Sequence, residues 1–382
     1  MQTARRTLAL LLTITFLATF NVSHAKKPAE PPAGGGGNGG GGNDGGSTAA
    51  YTIIPFAPDG VQLISSGVAE LNDAGEAVGV VDTANGQSSY HLDLDTGTYT
   101  ALPGRVWDIN NSGEIVGTVP TDLDTTEGYY LSSPGADLLP LATLPGDLWV
   151  DVYSINDSRM IVGSSTGATG ITAVIWRPIL AGDGTWTVDG PVPLQPIDGT
   201  TNSIAIEIND PIDNSPFQII SADDPAVVWT IELNPDGTLT APSAPVSLGT
   251  LDGISLNAWG INFLGDVCGY SGYAPFFKPF GAPAQALDVV RDTVFGRAMD
   301  INDLDVCVGN IITSNRNYSD DAYLWPGPDS KPINLEKLID KDSGWDDLNY
   351  ADQINNNGVI AGSGYFNGVP TGFFGFIMIP NP

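Results

Sequence analysis

Four carboxylates occupy the same position of a short sequence motif that recurs along the chain, the repeated phrase. They directly precede its aliphatic residue and its asparagine. They are Glu70, Asp108, Glu207 and Asp300. If these side chains face a common channel, they form a ring of oxygen ligands suited to a hard cation such as calcium. The alternative is a solvated strand end, where acidic residues cost little. The four residues are therefore candidates for a metal site, and that alternative stays open.

Histidine and paired-acid chemistry have little support in the sequence. The chain has two histidines, His24 near the N-terminus and His91 in a strand-like segment. After removal of an N-terminal leader only His91 would remain, which excludes a multi-histidine zinc site and nearly excludes a Ser-His pair. The separation of any two carboxylates is unknown, so no acid and base can be nominated. No catalytic residue is predicted.

The two cysteines, Cys268 and Cys307, lie in corresponding segments of neighbouring repeats. Alignment of Ile261 with Ile301 leaves them one residue out of register, so their thiols point to opposite faces of successive sheets. Such faces can form the two walls of one interface, and an oxidising compartment would then permit a disulfide. Stacked sheets lie about 10 Å apart, which is long for a disulfide. Two buried free thiols are therefore favoured, with a disulfide as the alternative.

The phrase itself is an internal repeat of an aliphatic residue, Asn, two further residues, usually Gly, then an aliphatic pair and Gly. Its seven copies are marked by Asn72, Asn110, Asn156, Asn209, Asn262, Asn302 and Asn355, which are 38 to 53 residues apart. Asn-x-x-Gly between aliphatic runs is typical of a hairpin with a type I turn and a left-handed Gly. The Asn caps that turn, so its predicted role is structural.

Each phrase is followed by an aromatic-aliphatic strand, seen best in Ala173–Trp176, Ala226–Trp229 and Ala322–Trp325, and then by a fourth short apolar stretch. Four short strands per unit of about 40 to 50 residues are typical of propeller blades. Helical periodicity is not evident. The sequence therefore predicts an all-β, seven-bladed β-propeller with four-stranded antiparallel blades.

The two ends of the repeat region complement each other. The last unit stops after Phe373–Met378 without a fourth strand, whereas Tyr51–Ile54 is a strand without a unit. Pairing them would complete blade seven and close the ring, which removes open sheet edges. Copy four is irregular, because Pro211 to Pro216 replace the turn. We expect a lengthened or distorted hairpin there.

Residues 1–25 have the pattern of a signal peptide, with Arg5 and Arg6 ahead of a short apolar stretch and small residues before the expected cleavage site. Residues 26–50 are rich in Pro and Gly and are predicted to form a disordered linker. The propeller is predicted over 51–382. No second long apolar run follows, so we expect export to the periplasm, the cell surface or the medium, without membrane insertion.

The units resemble the extracellular repeat of the HAF type, found in exported bacterial proteins. The resemblance lies in the Ile-Asn-Asp/Asn-x-Gly-x-Ile-Val-Gly phrase and the following Ala-aromatic-Leu-Trp strand, and the last unit is the most similar, at Ile333–Ile339, Ser343–Trp345, Ala351–Asn355 and Gly372–Phe374. It covers nearly all of residues 51 to 382. It implies export and β-architecture, and it carries no catalytic or binding residue over to this chain.

A net charge of −30 makes nucleic acid an improbable partner. Cations, basic proteins and neutral glycans fit better, and we expect a monomer. The leading hypothesis is a non-enzymatic binding scaffold with an unknown protein or glycan ligand. The alternatives are a carbohydrate-active or other hydrolytic enzyme with carboxylates at the channel mouth, and a structural cell-surface protein.

Overall fold

The computed structural model describes residues 49–121, 125–197, 202–211, 215–316, 319–366 and 372–382. The predicted signal peptide and nearly all of the predicted linker lie outside these residues. The described chain is all-β, with two single-turn 3-10 helices at Ser314–Arg316 and Leu335–Lys337. Within the described ranges, no helix has the length and apolar character needed to cross a membrane.

The chain begins with strand β1, Tyr51–Pro55, and then builds one blade after another. Blade one is β2 Leu63–Leu71, β3 Glu76–Thr83, β4 Gly86–Asp93 and β5 Thr98–Leu102. Blade two is β6 Arg105–Ile109, β7 Ile115–Pro120, β8 Thr126–Leu131 and β9 Leu139–Leu141. Blade three is β10 Trp149–Ile155, β11 Ile161–Gly167, β12 Gly170–Leu180 and β13 Trp186–Pro193. Blade four is β14 Ala205–Ile208, β15 Phe217–Ser221, β16 Val227–Ile231 and β17 Val246–Ser247.

A short hairpin, β18 Thr250–Leu251 with β19 Ile254–Ser255, precedes blade five. Blade five is β20 Asn257–Ile261, β21 Val267–Ser271, β22 Ala274–Lys278 and β23 Gln285–Ala286. Blade six is β24 Thr293–Ile301, β25 Cys307–Thr313, β26 Asp320–Trp325 and β27 Ile333–Asn334. Blade seven is β28 Trp345–Ile354, β29 Ile360–Phe366 and β30 Phe373–Pro380, with β1 as its fourth strand.

The seven sheets are four-stranded and antiparallel, and they are arranged around an axis. The first strand of every blade contacts the first strand of the next, and β28 of blade seven contacts β2 of blade one. The molecule is therefore a seven-bladed β-propeller, which confirms the predicted fold class. We call the side of the disc that carries the seven turns between first and second strands, beginning at residues 72, 110, 156, 209, 262, 302 and 355, the turn face.

Strand β1 pairs antiparallel with β30, and Tyr51 lies opposite Pro380 and Ile54 opposite Ile377. The predicted pairing of the two termini is thus present, although its partner segment is Phe376–Pro380, displaced toward the C-terminus from the predicted one. The following residue continues the contact, because the Phe56 backbone N–H donates to the Gly375 carbonyl at 2.8 Å. The Phe56 side chain is fully buried between blades seven and one.

The hydrophobic cores lie between successive blades. Trp176, Trp229 and Trp325 of the third strands are fully buried. Each donates its indole N–H to a backbone carbonyl just beyond the outer strand of the preceding blade, at 2.9, 2.7 and 2.7 Å. The recurrent Trp therefore ties neighbouring blades together as well as filling the space between them.

The core between blades five and six holds both cysteines. Cys268 and Cys307 are completely buried in the same cluster, and both are free thiols. Burial raises the pKa of the Cys268 thiol, and the adjacent Cys307 thiol raises it further. Both cysteines thus lie in one inter-blade core, and the disulfide between them stays a prediction.

Every first strand carries a β-bulge at the same place, immediately before the position of the repeated carboxylates. The bulged residues are Ala69, Trp107, Tyr153, Ile206, Trp259, Met299 and Asp352. The first strand approaches the second so closely here that a Cβ on the last Gly of the Ile-Val-Gly phrase would meet a first-strand carbonyl oxygen. The distances would be 1.9 to 2.4 Å for Gly79, Gly117, Gly163, Gly269, Gly309 and Gly362. In these six blades the close approach of the two strands leaves room only for Gly, whereas blade four has the same bulge with Ser221 at the equivalent position.

The turns have the predicted conformation. Gly75, Gly113, Gly265 and Gly358 have φ between +73° and +85°. In blades three and six the same left-handed position is held by Arg159 and Asp305. Blade four lacks this turn, and its first two strands are joined by the longer segment between Ile208 and Phe217. The expected irregularity of copy four is confirmed.

Candidate functional site

The repeated asparagines form a cycle of hydrogen bonds on the turn face. Each Oδ1 accepts a backbone N–H from its own hairpin, as when Asn72 accepts from Glu76 at 2.8 Å. Each Nδ2 donates to the backbone carbonyl of the corresponding Asn in the next blade, and the bond from Asn355 to Asn72 returns to the start. The seven inter-blade distances are 2.8 to 3.4 Å. The Asn side chains are thus structural, as predicted, but their contact with the next blade was not predicted.

The residue after each Asn forms a second ring on the same face. Its members are Asp73, Asn111, Asp157, Asp210, Phe263, Asp303 and Asn356. At six of the seven blade junctions, the side chain of a ring member accepts a hydrogen bond from the backbone N–H of the corresponding ring member in the preceding blade. The distances are 2.7 to 3.1 Å. The junction from blade four to blade five lacks the acceptor because the Phe263 side chain has no polar atom.

The predicted carboxylates lie one step inside these rings. Asp108 accepts the backbone N–H groups of Ile109 and Ile155, both at 2.6 Å, and so joins blades two and three. Asp300 does the same for Ile301 and Ile354, both at 2.7 Å, between blades six and seven. Both aspartates therefore stabilise the fold, a role that the sequence did not reveal.

The two glutamates accept fewer hydrogen bonds from the backbone than the two aspartates do. Glu70 accepts one hydrogen bond, from the Leu71 N–H at 2.9 Å. Glu207 accepts none from the residues that the structure describes, and after burial the charges of Asp300 and Asp108 raise its pKa. Both glutamates are half-buried at the cavity wall. They are consequently the carboxylates most available to a ligand.

These groups surround one cavity of about 270 Å³ at the centre of the turn face. The predicted candidates converge on it, and members of the second ring lie at its rim. Eight carboxylates line it: Glu70, Asp73, Asp108, Asp157, Glu207, Asp210, Asp300 and Asp303. Among the described residues no Lys, Arg or His lines the cavity. The site is therefore a strongly negative well on the propeller axis.

Crowding of like charges away from water changes the acidity of these groups. Burial, followed by the charges of the other three predicted carboxylates, raises the pKa of Glu70 well above its usual value. Glu207 is raised in the same way, by burial and then by Asp300 and Asp108. Burial raises the pKa of Asp108 and of Asp300 to about 6, against the lowering effect of their backbone hydrogen bonds. A cationic ligand would relieve this repulsion.

The cavity makes stability depend on pH with a defined sign. An acid whose pKa is higher in the folded than in the unfolded state favours folding when protonated, and this stabilisation is lost as pH rises through the folded pKa. For Asp108 and Asp300 that pKa is about 6, against about 3.9 in an unfolded chain. We expect the thermal midpoint to rise by several degrees between pH 7.5 and pH 5.5, measured by circular dichroism.

The variant Glu207→Gln should be more stable than the parent at pH 7.5 and show a shallower pH dependence, because one repelling charge is removed without loss of a hydrogen bond to the described residues. A midpoint that is flat or falls on acidification over this range would contradict the assignment of repulsion to the cavity.

Direct metal coordination has no support in the geometry. Across the described parts of the chain, no group of three or more His, Cys, Asp or Glu side chains is placed to hold a metal ion. The four predicted ligands line one cavity but do not form such a group. His91, predicted to be a packed side chain, is buried in blade one, and its Nε2 lies 2.9 Å from Glu76 Oε1.

Sequence reasoning missed the second ring. Its signal was available, because the residue after the repeated Asn is Asp or Asn in six copies and Phe in the fifth. Comparison of this position across the seven copies would have identified both the ring and its interruption at Phe263. The inter-blade bonds themselves are invisible in sequence, since they join residues 38 to 53 positions apart, and across the seam 283 apart.

Comparisons with known proteins bear on the fold alone. The β-propeller domain of the Trilobed protease from Pyrococcus furiosus, described as having an open velcro topology, is 11% identical with a TM-score of 0.46, and the match covers 80% of this chain and 93% of that one. The acylaminoacyl peptidase of Pyrococcus horikoshii is 10% identical with a TM-score of 0.41, over 78% of this chain and 49% of that one. No family model matches the chain, and no curated protein matches it.

Proposed function

We propose that this protein is a non-catalytic binding protein that uses the turn-face cavity of its propeller to hold a cationic group. The observation that carries the proposal is the lining of that cavity, with eight carboxylates and no basic residue among those described. Burying so many acids together is unfavourable unless a positive charge is supplied. The most available acceptors for that charge are Glu70 and Glu207.

The chemistry favours an organic cation over a bare metal ion. A calcium ion needs six to eight oxygens at 2.3–2.6 Å. The carboxylates are instead spread around a cavity of about 270 Å³. An ammonium or guanidinium group can reach several of them by charge-assisted hydrogen bonds.

The hydrolytic alternative has less to recommend it. Asp108 and Asp300 each spend both carboxylate oxygens on backbone N–H groups. A general base or nucleophile must keep an oxygen free for the reacting group. Of the four predicted carboxylates, only Glu70 and Glu207 would then remain as an acid and base pair.

We also propose that the protein works outside the cytoplasm. The support is the signal-peptide pattern of residues 1–25 and the resemblance of the repeats to the HAF type. Residues 1–25 lie outside the described part of the structure. Expression of the full chain with fractionation of cells and medium tests this part of the proposal, and retention in the cytoplasm at full length would oppose it.

The binding proposal predicts saturable, salt-sensitive binding of spermidine and of calcium chloride in isothermal titration calorimetry, with spermidine the tighter of the two. Glu207→Gln should weaken spermidine binding about tenfold or more. The matched control is Glu127→Gln, an exposed glutamate at the start of a third strand, on the opposite side of the disc. Equal binding by both variants, or no binding by the parent, would refute the proposed site, whereas tighter calcium binding would restore the metal interpretation.

A further inference from the structure

Blade five breaks the pseudo-sevenfold pattern of the cavity. Gly260 replaces the side chain that lines it in the other blades, and Phe263 replaces the acceptor of the second ring. Phe263 nevertheless lines the cavity, and its backbone N–H donates to Asp303 at 2.9 Å. The negatively charged wall of the cavity is therefore interrupted by one apolar side chain.

Other exposed apolar side chains extend this apolar part of the surface across the turn face. Leu264 and Leu304 occupy the same turn position in blades five and six, and they are 47% and 70% exposed. Phe280 is 65% exposed, and its backbone N–H is fixed to Asp266 Oδ1 at 2.6 Å beside the turn of blade five. The same turn position in the other regular blades is held by Ala74, Ser112, Ser158 and Asn357.

We propose that Phe263, Leu264, Phe280 and Leu304, here called the apolar sector, form with the cavity a docking surface for a peptide segment or protein loop in which a basic residue adjoins an apolar one. The basic side chain enters the cavity, and its neighbour covers the apolar sector. This inference rests on the proposed function and specifies its ligand.

Charge and polarity together select this class of partner. A metal ion or a small polyamine would leave the exposed leucines and Phe280 uncovered. A neutral glycan would leave the carboxylates uncompensated, and nucleic acid would be repelled. A polypeptide carrying Lys or Arg beside a large apolar residue satisfies both halves of the surface, and exposed apolar patches of this kind mark interaction sites.

The test is fluorescence polarisation with four labelled hexapeptides whose central pairs are Lys-Leu, Lys-Ser, Ser-Leu and Glu-Leu. We expect Lys-Leu to bind at least tenfold more tightly than either single-feature peptide, and Glu-Leu not to bind. The triple variant Leu264→Ser, Phe280→Ser, Leu304→Ser should reduce Lys-Leu to the affinity of Lys-Ser. Its fold is monitored by its thermal midpoint, and all three side chains are exposed, so folding should persist.

Tyr273→Ser is the matched control, because Tyr273 is 78% exposed in the hairpin between β21 and β22, on the opposite side of the disc. It should leave binding unchanged. If Glu207→Gln weakens Lys-Leu binding while the triple variant does not, the docking surface is refuted and the cation site survives. If spermidine fails to bind as well, the proposed function itself has failed. Dimerisation of the parent that the triple variant abolishes would assign the apolar sector to a second copy of the chain and overturn the peptide assignment.

Discussion

Removal of the N-terminal strand should have the largest effect of any change to this molecule. A chain that starts at Phe56 lacks β1, which pairs with β30 along five residues from Tyr51 to Pro55. Its loss exposes the edge of β30 and uncovers the apolar faces that Tyr51, Ile53 and Ile54 cover. We expect the thermal midpoint to fall by roughly 10 °C or more, with aggregation on heating.

The matched control starts at Ala49 and should melt like the chain that starts after the expected cleavage site. Adding a peptide of residues 49–56 to the shortened chain should restore part of the lost midpoint in a concentration-dependent way, because a segment that binds only the folded state stabilises it by mass action. A shortened chain that melts like its control would show that pairing of the termini does not hold the ring together.

Substitution of one bulge glycine should be almost as damaging. A Cβ at Gly362 would lie 1.9 Å from the Tyr350 carbonyl oxygen and 2.7 Å from the Phe376 ring. The first of these neighbours is backbone, so relief requires movement of the first strand of blade seven. We expect Gly362→Ala to lower the free energy of unfolding by more than about 3 kcal/mol, measured by urea denaturation.

Gly182→Ala is the matched control, since a Cβ there meets nothing within 4 Å and the residue does not have a left-handed φ. It should change stability by less than about 1 kcal/mol, in the stabilising direction. Similar losses at the two positions would contradict the role assigned to the bulge.

The sequence was sufficient for the blade count because the repeated aliphatic-Asn pair marks the end of the first strand in each blade, even in the irregular fourth copy. It was also sufficient to bring Glu70, Asp108, Glu207 and Asp300 to one position. It could not reveal that bulges precede them. A bulge is a property of two paired strands, and the only trace in the sequence was the final Gly of the Ile-Val-Gly phrase.

The division of labour among the carboxylates was equally hidden. Asp and Glu at the same repeat position are equivalent in a pattern, yet the shorter Asp side chains reach the backbone N–H groups of the next blade, at 2.6 Å for Asp108 and 2.7 Å for Asp300. The longer Glu70 and Glu207 make no such bond to the next blade among the described residues. One methylene thus separates a structural from an available acid.

The cycle of asparagine bonds has a consequence for how the molecule unfolds. A linear repeat array has two end units with one neighbour each, so it can fray from its ends and its stability approximates a sum of nearest-neighbour contributions. In the cycle, Asn355 bonds to Asn72 as each Asn does to the next, so no unit is terminal. Loss of any one turn therefore removes two bonds of the asparagine cycle at once, and we expect a single cooperative transition in which no blade melts first. An extra repeat inserted between two blades would interrupt the cycle, whereas insertions in the outer connections, where the natural spacings already vary, would leave it intact.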